Sequence, residues 1–126
     1  DAVSIHAPLT PETRGVVSTE ELSALGERGV LVNTARGAIV DEDALVEALE
    51  TGALGAAGLD TFEDEPPAAD NPLFDRDDVL LTPHVGGVTE EALARMSQRA
   101  AANVRTVYDG GVPPSTVNRD AIAGAE

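Results

Sequence analysis

Three kinds of side chain in this sequence have the chemistry to act together on a small organic acid. Arg36 follows the apolar run 30–33, and a guanidinium grips a carboxylate through two parallel hydrogen bonds, which lysine cannot do. His84 follows a proline, and histidine titrates near neutral pH, so it can give and take a proton. The acidic segment 60–65 offers a carboxylate to orient that ring. These groups suit the reduction of a 2-keto acid by a nicotinamide, because no side chain can supply the hydride.

Strand-like runs alternate with helical patterns along most of the chain. This alternation is typical of a parallel α/β sheet, whose right-handed crossovers put the carboxyl end of every strand on one side. The polar segments 6–8, 33–36, 60–65 and 83–84 stand at the ends of these runs, so we expect them to meet at that edge, where open α/β sheets bind ligands. The expected strands are residues 2–6, 30–33, 56–60 and 79–81, and the expected helices are residues 18–25, 41–52 and 89 to about 108.

Local signals make some of these expectations more specific. Ser18 opens a capping-box pattern before the first helix, and Asp41 is a helix cap before the second. The run 30–33 is continuously apolar up to its asparagine, which predicts a strand buried on both faces. Residues 61–78 are acidic and proline-rich, so we expect an irregular loop there. Residues 112–126 have little periodicity, which predicts a tail or a docking strand.

The composition is that of an acidic chain of about one domain. Its 126 residues include 23 acidic and eight basic side chains, a formal net charge of −15, and every basic residue is an arginine. Because no basic stripe is available to displace counterions, binding to nucleic acid or to an anionic membrane is not expected. A high-salt cytoplasm and a GC-rich genome both account for an acidic sequence without lysine. The absence of cysteine excludes disulfides and thiolate metal sites.

Four motifs resemble those of the D-isomer-specific 2-hydroxyacid dehydrogenases, the family that includes D-3-phosphoglycerate, glycerate, D-lactate and formate dehydrogenases. Residues 33–41 resemble the signature with the substrate-binding arginine, and residues 58–66 resemble the segment whose Asp touches the nicotinamide amide and whose Glu supports the histidine. Residues 80–87 resemble the segment with the catalytic histidine, and residues 6–10 resemble a cofactor-lining loop. The motifs stand in the family's order, and the resemblance covers residues 1 to about 112.

The resemblance implies a catalytic set of three residues and a nicotinamide cofactor, NAD or NADP. Arg36 would hold the substrate carboxylate, His84 would exchange the hydroxyl proton, and Glu65 would tune His84. Glu65 disfavours the formate dehydrogenase branch, where this position resembles Gln. Phosphoglycerate, glyoxylate or hydroxypyruvate, and other D-2-hydroxy acids stay open as substrates. The implied cofactor-binding residues are His6, Ala7, Pro8, Thr34, Ala35, Arg36, Asp60, His84, Gly86 and Gly87, with Asp60 on the nicotinamide amide.

One part of the family pattern is missing from this sequence. It has no Gly-x-Gly-x-x-Gly turn to place a pyrophosphate on a helix N-terminus, and no acidic residue about twenty positions beyond such a turn to select NAD over NADP. We therefore expect a fragment, with residues 1–88 forming the second half of a Rossmann-type, doubly wound parallel sheet. Residues 89–110 would be a long hinge helix returning toward a missing substrate domain, and residues 111–126 a tail or substrate-domain segment. Alone, the chain should bind dinucleotide poorly, and its parent is expected to be a homodimer.

Other functions are compatible with some of these residues. A metal site is one alternative, with His6, Asp60, Glu65 and His84 as conceivable ligands. No helical His-x-x-x-His or similar spacing supports such a site, so no metal is expected. A dinucleotide-sensing or co-repressor-like scaffold on the same fold is the alternative to an enzyme, although the retained arginine, glutamate and histidine favour catalysis. The sequence shows no leader and no apolar stretch of membrane length, so we expect a soluble, cytoplasmic protein whose partner is a small 2-hydroxy or 2-keto acid.

Overall fold

The computed structural model describes residues 1–123, and the chain divides after Gly86 into two compact units. The first unit is a parallel sheet with two helices, and the second is helical. The predicted strands and the three predicted helices are confirmed, with small differences at their ends. The strands are β1 (Ala2–Ile5), β2 (Val30–Asn33), β3 (Ala56–Leu59) and β4 (Val79–Leu81), and the helices are α1 (Thr19–Leu25), α2 (Glu42–Glu50), α3 (Glu90–Tyr108) and α4 (Arg119–Ala123).

The four strands lie side by side in chain order and run parallel. Their ends are in register, because Ile5 pairs with Asn33, Asn33 with Leu59, and Leu59 with Leu81. The segments that follow the strands therefore start from one row at the same edge. This arrangement confirms the predicted fold class, a parallel α/β sheet of the Rossmann type.

The core of the first unit lies on the face of the sheet that α1 and α2 cover. Leu31 and Leu59 are buried there with residues of both helices, whereas Val32 on the other face of β2 is only half-buried. The prediction that residues 30–33 are buried on both faces is therefore wrong. Right-handed crossovers between strands that follow one another in chain order put successive helices on the same face, so β2 alternates between buried and half-buried residues.

Both helices of the first unit begin at the predicted capping residues. The backbone N–H of Ser18 donates to Oε2 of Glu21 at 3.0 Å, and Oδ1 of Asp41 accepts the N–H of Ala44 at 3.0 Å. After α2 the chain turns at Gly52, whose φ of 72° is a conformation that glycine adopts without steric penalty. Local sequence therefore sets where each crossover helix begins, and Gly52 sets where the second one releases the chain toward β3.

The connection from β3 to β4 is more ordered than the irregular loop predicted for residues 61–78. It contains a 3-10 helix at Pro72–Asp75, and Asn71 before that helix accepts the N–H of Leu73 at 2.9 Å. The Asn71 amide also donates to Glu42 of α2 at 2.6 Å, and Leu73 is completely buried. The Asn71 cap and the buried Leu73 thus attach this part of the loop to the core.

The second unit consists of α3 and α4. The α3 helix begins after its cap Thr89 and contains no buried residue. Of the two alternatives predicted for residues 112–126, a tail or a docking strand, the strand is wrong for Arg119–Ala123, because this segment with two alanines is helical. The remainder of that prediction, residues 124–126, lies outside the described residues. Within the described chain, no helix combines the length and the hydropathy needed to cross a membrane.

Candidate active site

The three residues that the sequence predicts to be catalytic lie in segments at the carboxyl edge of the sheet. Arg36 lies in the turn after β2, Glu65 in the loop after β3, and His84 in the turn after β4. Because the strand ends are in register, these segments leave the sheet from neighbouring points. The residues that directly follow the four strands are His6, Thr34, Asp60 and Thr82.

Asn33, the last residue of β2, shapes the turn that carries Arg36. Its side chain is buried, with 1% exposed. The Nδ2 atom donates to the carbonyl of Arg36 at 2.9 Å, and Oδ1 accepts the N–H of Ala35 at 3.1 Å. Asparagine suits this place because its amide is both donor and acceptor. The sequence analysis did not identify Asn33 as a site residue, although a polar residue that closes an apolar strand just before a turn is a recognisable signal.

The Arg36 side chain is exposed at this edge. Its Nη1 atom donates to the carbonyl of Ala35 at 2.6 Å. Among residues 1–123 the guanidinium forms no ion pair with a carboxylate. Since a guanidinium has five N–H donors, Arg36 keeps donors available for the carboxylate of a ligand.

Gly37 lets the Arg36 turn touch the loop after β3. A Cβ atom on Gly37 would overlap the carbonyl of Phe62 and the backbone nitrogen of Glu63, so only a glycine permits this approach. The N–H of Phe62 donates in turn to Oε1 of Glu65 at 3.1 Å. The backbone contact between Gly37 and Phe62 therefore connects the turn of the arginine with the loop of the glutamate.

Glu65 and His84 form a hydrogen-bonded pair, with Oε2 of Glu65 2.8 Å from Nδ1 of His84. An ionised carboxylate only accepts hydrogen bonds, so Nδ1 carries a proton and Nε2 is left for a ligand. The bond from His84, the bond from Phe62 and the charge of Arg36 hold the pKa of Glu65 below its ordinary value. The Glu65 carboxylate is therefore ionised at neutral pH.

Asp60, which the family resemblance places on the nicotinamide amide, is 4% exposed and bonded to the turn after β4. Its Oδ1 atom accepts the Thr82 hydroxyl and, at 2.8 Å, the N–H of Val85. Its Oδ2 atom accepts the N–H of Gly86 at 2.7 Å. The Thr82 hydrogen bond is the main cause that lowers the pKa of Asp60 below its ordinary value, while burial opposes it. Thr82 is a further site residue that the sequence analysis missed.

Two cavities open in the first unit near this edge. Arg36 lines a cavity of about 590 Å³ at the ends of β1 and β2, and His84 lines an apolar cavity of about 430 Å³ beside the loop after β3. The structure therefore places the guanidinium and the imidazole at the same edge of the sheet, in turns separated by the loop after β3, but not in one cavity. The predicted cofactor-binding residues that share the first cavity with Arg36 are His6, Ala7, Pro8, Thr34 and Ala35.

The remaining predicted cofactor-binding residues, His6, Gly86 and Gly87, have few side-chain contacts. His6 is exposed, and its Nε2 lies 2.9 Å from the Ser4 hydroxyl. Gly86 donates its N–H to Asp60, and Gly87 is the first residue of the second unit, with open space where a Cβ would stand. Within residues 1–123, no cluster of three or more His, Asp or Glu side chains is arranged to hold a metal ion.

Known proteins resemble this chain in both sequence and structure. Residues 1–86 match the family model described as D-isomer specific 2-hydroxyacid dehydrogenase, NAD binding domain. Over 122 residues the chain is 46% identical to the glyoxylate reductase of Aeropyrum pernix, covering 97% of this chain and 36% of that protein.

The crystal structure of TT0316 protein from Thermus thermophilus superposes with a TM-score of 0.84 at 44% identity, covering 93% of this chain and 37% of that one. The D-lactate dehydrogenase of Lactobacillus jensenii, solved with NAD+, gives 0.81 at 28% identity, covering 94% and 39%. The chain thus spans about a third of the length of these relatives.

Proposed function

The chain belongs to the D-isomer-specific 2-hydroxyacid dehydrogenase family, and from this premise we propose that the protein reduces a small 2-keto acid to a D-2-hydroxy acid, and the reverse. The family match assigns a nicotinamide dinucleotide to the fold. Three residues of this chain would supply the rest of the chemistry. Arg36 would bind the substrate carboxylate, His84 would exchange a proton with the reacting oxygen, and Glu65 would support His84.

Arg36 binds and orients the substrate. Its guanidinium has no carboxylate partner among the described residues, and a bidentate grip on the substrate carboxylate fixes the position of the adjacent C2 atom. A charge-assisted hydrogen bond of this kind contributes about 1.5–3 kcal/mol. A hydrogen bond from the Asn33 amide holds the carbonyl of Arg36 and so fixes the backbone position beneath the guanidinium.

His84 transfers the proton. As the hydride adds to C2 of the keto acid, the carbonyl oxygen gains electron density and takes a proton from Nε2 of His84, which leaves a hydroxyl group. The Nδ1 proton stays on His84 throughout and is donated in the hydrogen bond to Glu65. The imidazole therefore ends the step neutral. In the oxidation direction His84 accepts the hydroxyl proton, and the Glu65 carboxylate stabilises the imidazolium that forms.

The residues present fit the nicotinamide end of a dinucleotide. The cavity of about 590 Å³ opens at the carboxyl edge, between segments 6–8 and 34–36, and ligands of open α/β sheets bind outside this edge. A nicotinamide bound there supplies or accepts the hydride. Segment 34–36 and segment 6–8 would border its ribose, and the family resemblance places Asp60, which already accepts three protein hydrogen bonds, on the amide.

The observation on which the proposal chiefly depends is the Glu65–His84 pair at 2.8 Å, at the sheet edge that also carries Arg36. A protein that only senses a dinucleotide needs a cofactor cavity but has no use for an imidazole backed by a carboxylate. The pair therefore favours an enzyme over a scaffold on the same fold.

Turnover of keto acids by the intact protein tests the proposal. Oxidation of NADH and of NADPH is followed with glyoxylate, hydroxypyruvate and 2-ketobutyrate, each with wild type and with His84→Asn. We expect wild type to turn over at least one of these substrates and the variant to bind cofactor without comparable turnover. Cofactor binding by wild type with no turnover of any keto acid would contradict the proposal and favour a sensing protein.

A further inference from the structure

The turn that carries His84 is held from both sides by one buried carboxylate. Asp60 lies at the end of β3, and its partners Thr82, Val85 and Gly86 stand before and after His84 in the chain. Hydrogen bonds to an ionised acceptor are the strong ones, and Asp60 is 4% exposed, so water competes little for them. Three of its lone-pair sites are therefore committed to a single turn.

His84 needs such support because of its backbone conformation. Its φ of 54° lies in the left-handed region, which residues with a Cβ seldom adopt. The N–H of His84 donates to the carbonyl of Thr82 at 3.1 Å, which also keeps the turn tight. The bonds to Asp60 on both sides of His84 oppose relaxation of this turn toward an ordinary conformation.

Gly86 shows how closely the carboxylate and the turn approach each other. A Cβ atom on Gly86 would stand 2.8 Å from Oδ2 of Asp60, closer than side-chain carbons are found in proteins. The turn therefore contacts Asp60 through bare backbone. This close approach accompanies the hydrogen bond from the Gly86 N–H to the same oxygen and leaves no room for a side chain at this position.

From these contacts we infer that Asp60, with the Thr82 hydroxyl, is a positioning residue that fixes the left-handed turn and so holds the His84 imidazole against Glu65. Its importance for catalysis rests on the proposed function. This role differs from the contact with the nicotinamide amide that the family resemblance implies for Asp60, because it acts on His84 whether or not a cofactor is bound.

Two substitutions of Thr82 test the inference without touching His84 or Glu65. Thr82→Val keeps the shape of the side chain and removes the hydroxyl, whereas Thr82→Ser keeps the hydroxyl. Thr106→Val is the matched control, since among residues 1–123 the partner of the Thr106 hydroxyl is the carbonyl of Ala102 within α3. NMR spectra without ligand report the Val85 and Gly86 amide protons and the His84 ring nitrogens.

We expect Thr82→Val to shift the amide signals of Val85 and Gly86 and the ring signals of His84, and Thr82→Ser to restore them. In turnover, Thr82→Val should lower kcat about tenfold, the worth of roughly one charged hydrogen bond. A tenfold change in kcat corresponds to about 1.4 kcal/mol. The KM of the keto acid should stay within about twofold, because Arg36 is untouched.

Unchanged ring signals in Thr82→Val, or a serine variant that behaves like the valine variant, would overturn the inference. So would shifted ring signals with an unchanged kcat in an active enzyme. If Thr82→Val does not fold, Gly86→Ala replaces it, because its added methyl group displaces Oδ2 of Asp60. Absence of any wild-type turnover would refute the proposed function but not the positioning role of Asp60. That role is tested separately, by the NMR signals of the ring and the amides.

Discussion

Oε2 of Glu65 lies 2.8 Å from Nδ1 of His84, while Oε1 of the same carboxylate accepts the N–H of Phe62 at 3.1 Å. The two bonds fix the plane of the carboxylate against the imidazole. Phe62 also meets Gly37 through its carbonyl, so the pair is attached by backbone to the turn of Arg36. His84 and Arg36 thus belong to one connected set of turns.

Glu65→Gln should lower kcat for keto acid reduction by about a hundredfold, the lower end of what a positioned acid contributes. The amide can still accept the Nδ1 hydrogen but carries no charge to stabilise the imidazolium. The KM of the keto acid should change little. Steady-state kinetics measure both constants, with Glu63→Gln as the control, because Glu63 is exposed and its carboxylate does not contact His84. Equal losses in the two variants would show that net charge, and not the pair, matters.

Gly37→Ala should lower the free energy of unfolding by about 2 kcal/mol or more, because the added methyl group overlaps the backbone of Phe62. Gly58→Ala in β3 is the control, since its added carbon would lie 3.9 Å from Cγ2 of Val32, an ordinary contact. Urea unfolding of both variants measures the difference. A Gly37→Ala protein as stable as Gly58→Ala would mean that the two turns do not touch as described.

Asn33→Asp should destabilise the protein by about 1–3 kcal/mol and raise the KM of the keto acid several-fold. The carboxylate accepts the N–H of Ala35 as before but repels the carbonyl of Arg36, to which Asn33 now donates. Unfolding and steady-state kinetics give the two values. Asn118→Asp, at an exposed position, controls for the added charge. If the Asn33 variant keeps the wild-type KM, the turn does not depend on this amide.

The stability of the protein should depend on pH through Asp60. Since folding lowers the pKa of Asp60, its contribution is complete above the unfolded pKa and is lost as the pH falls through the folded value. Thr82→Val removes the main cause of the shift. The difference in unfolding free energy between wild type and this variant should therefore be largest near neutral pH and shrink below about pH 4. Urea unfolding at a series of pH values measures it, and a difference that stays constant down to acid pH would contradict the assignment.

The fold followed from the sequence because its determinants are local or general. Strand runs, the Asp41 cap and the crossover rule fix a parallel sheet whose strand ends share one edge, and the structure has that edge. The family and its nicotinamide cofactor were also predicted from motifs, and the comparisons confirm them. The assigned roles of Arg36, Glu65 and His84 stay predictions until turnover is measured.

The contacts that shape the site could not be predicted, because they join residues distant in sequence. Nothing local shows that Asp60 accepts backbone N–H groups 25 and 26 residues later. The approach of Gly37 to Phe62 likewise depends on two loops that meet only in the folded sheet. Asn33 is the exception, since its bonds stay within its own turn, and its position after an apolar run could have revealed it.

The most direct test of the account compares Arg36→Ala with His84→Ala in the reduction of the best keto acid. We expect Arg36→Ala to raise KM by about tenfold or more, the value of a charged hydrogen bond. His84→Ala should instead lower kcat by at least about a hundredfold with KM nearly unchanged. Arg14→Ala, at an exposed arginine outside the site, should match wild type. Small and equal losses in the Arg36 and His84 variants would contradict the assignment of substrate binding to the guanidinium and proton transfer to the imidazole.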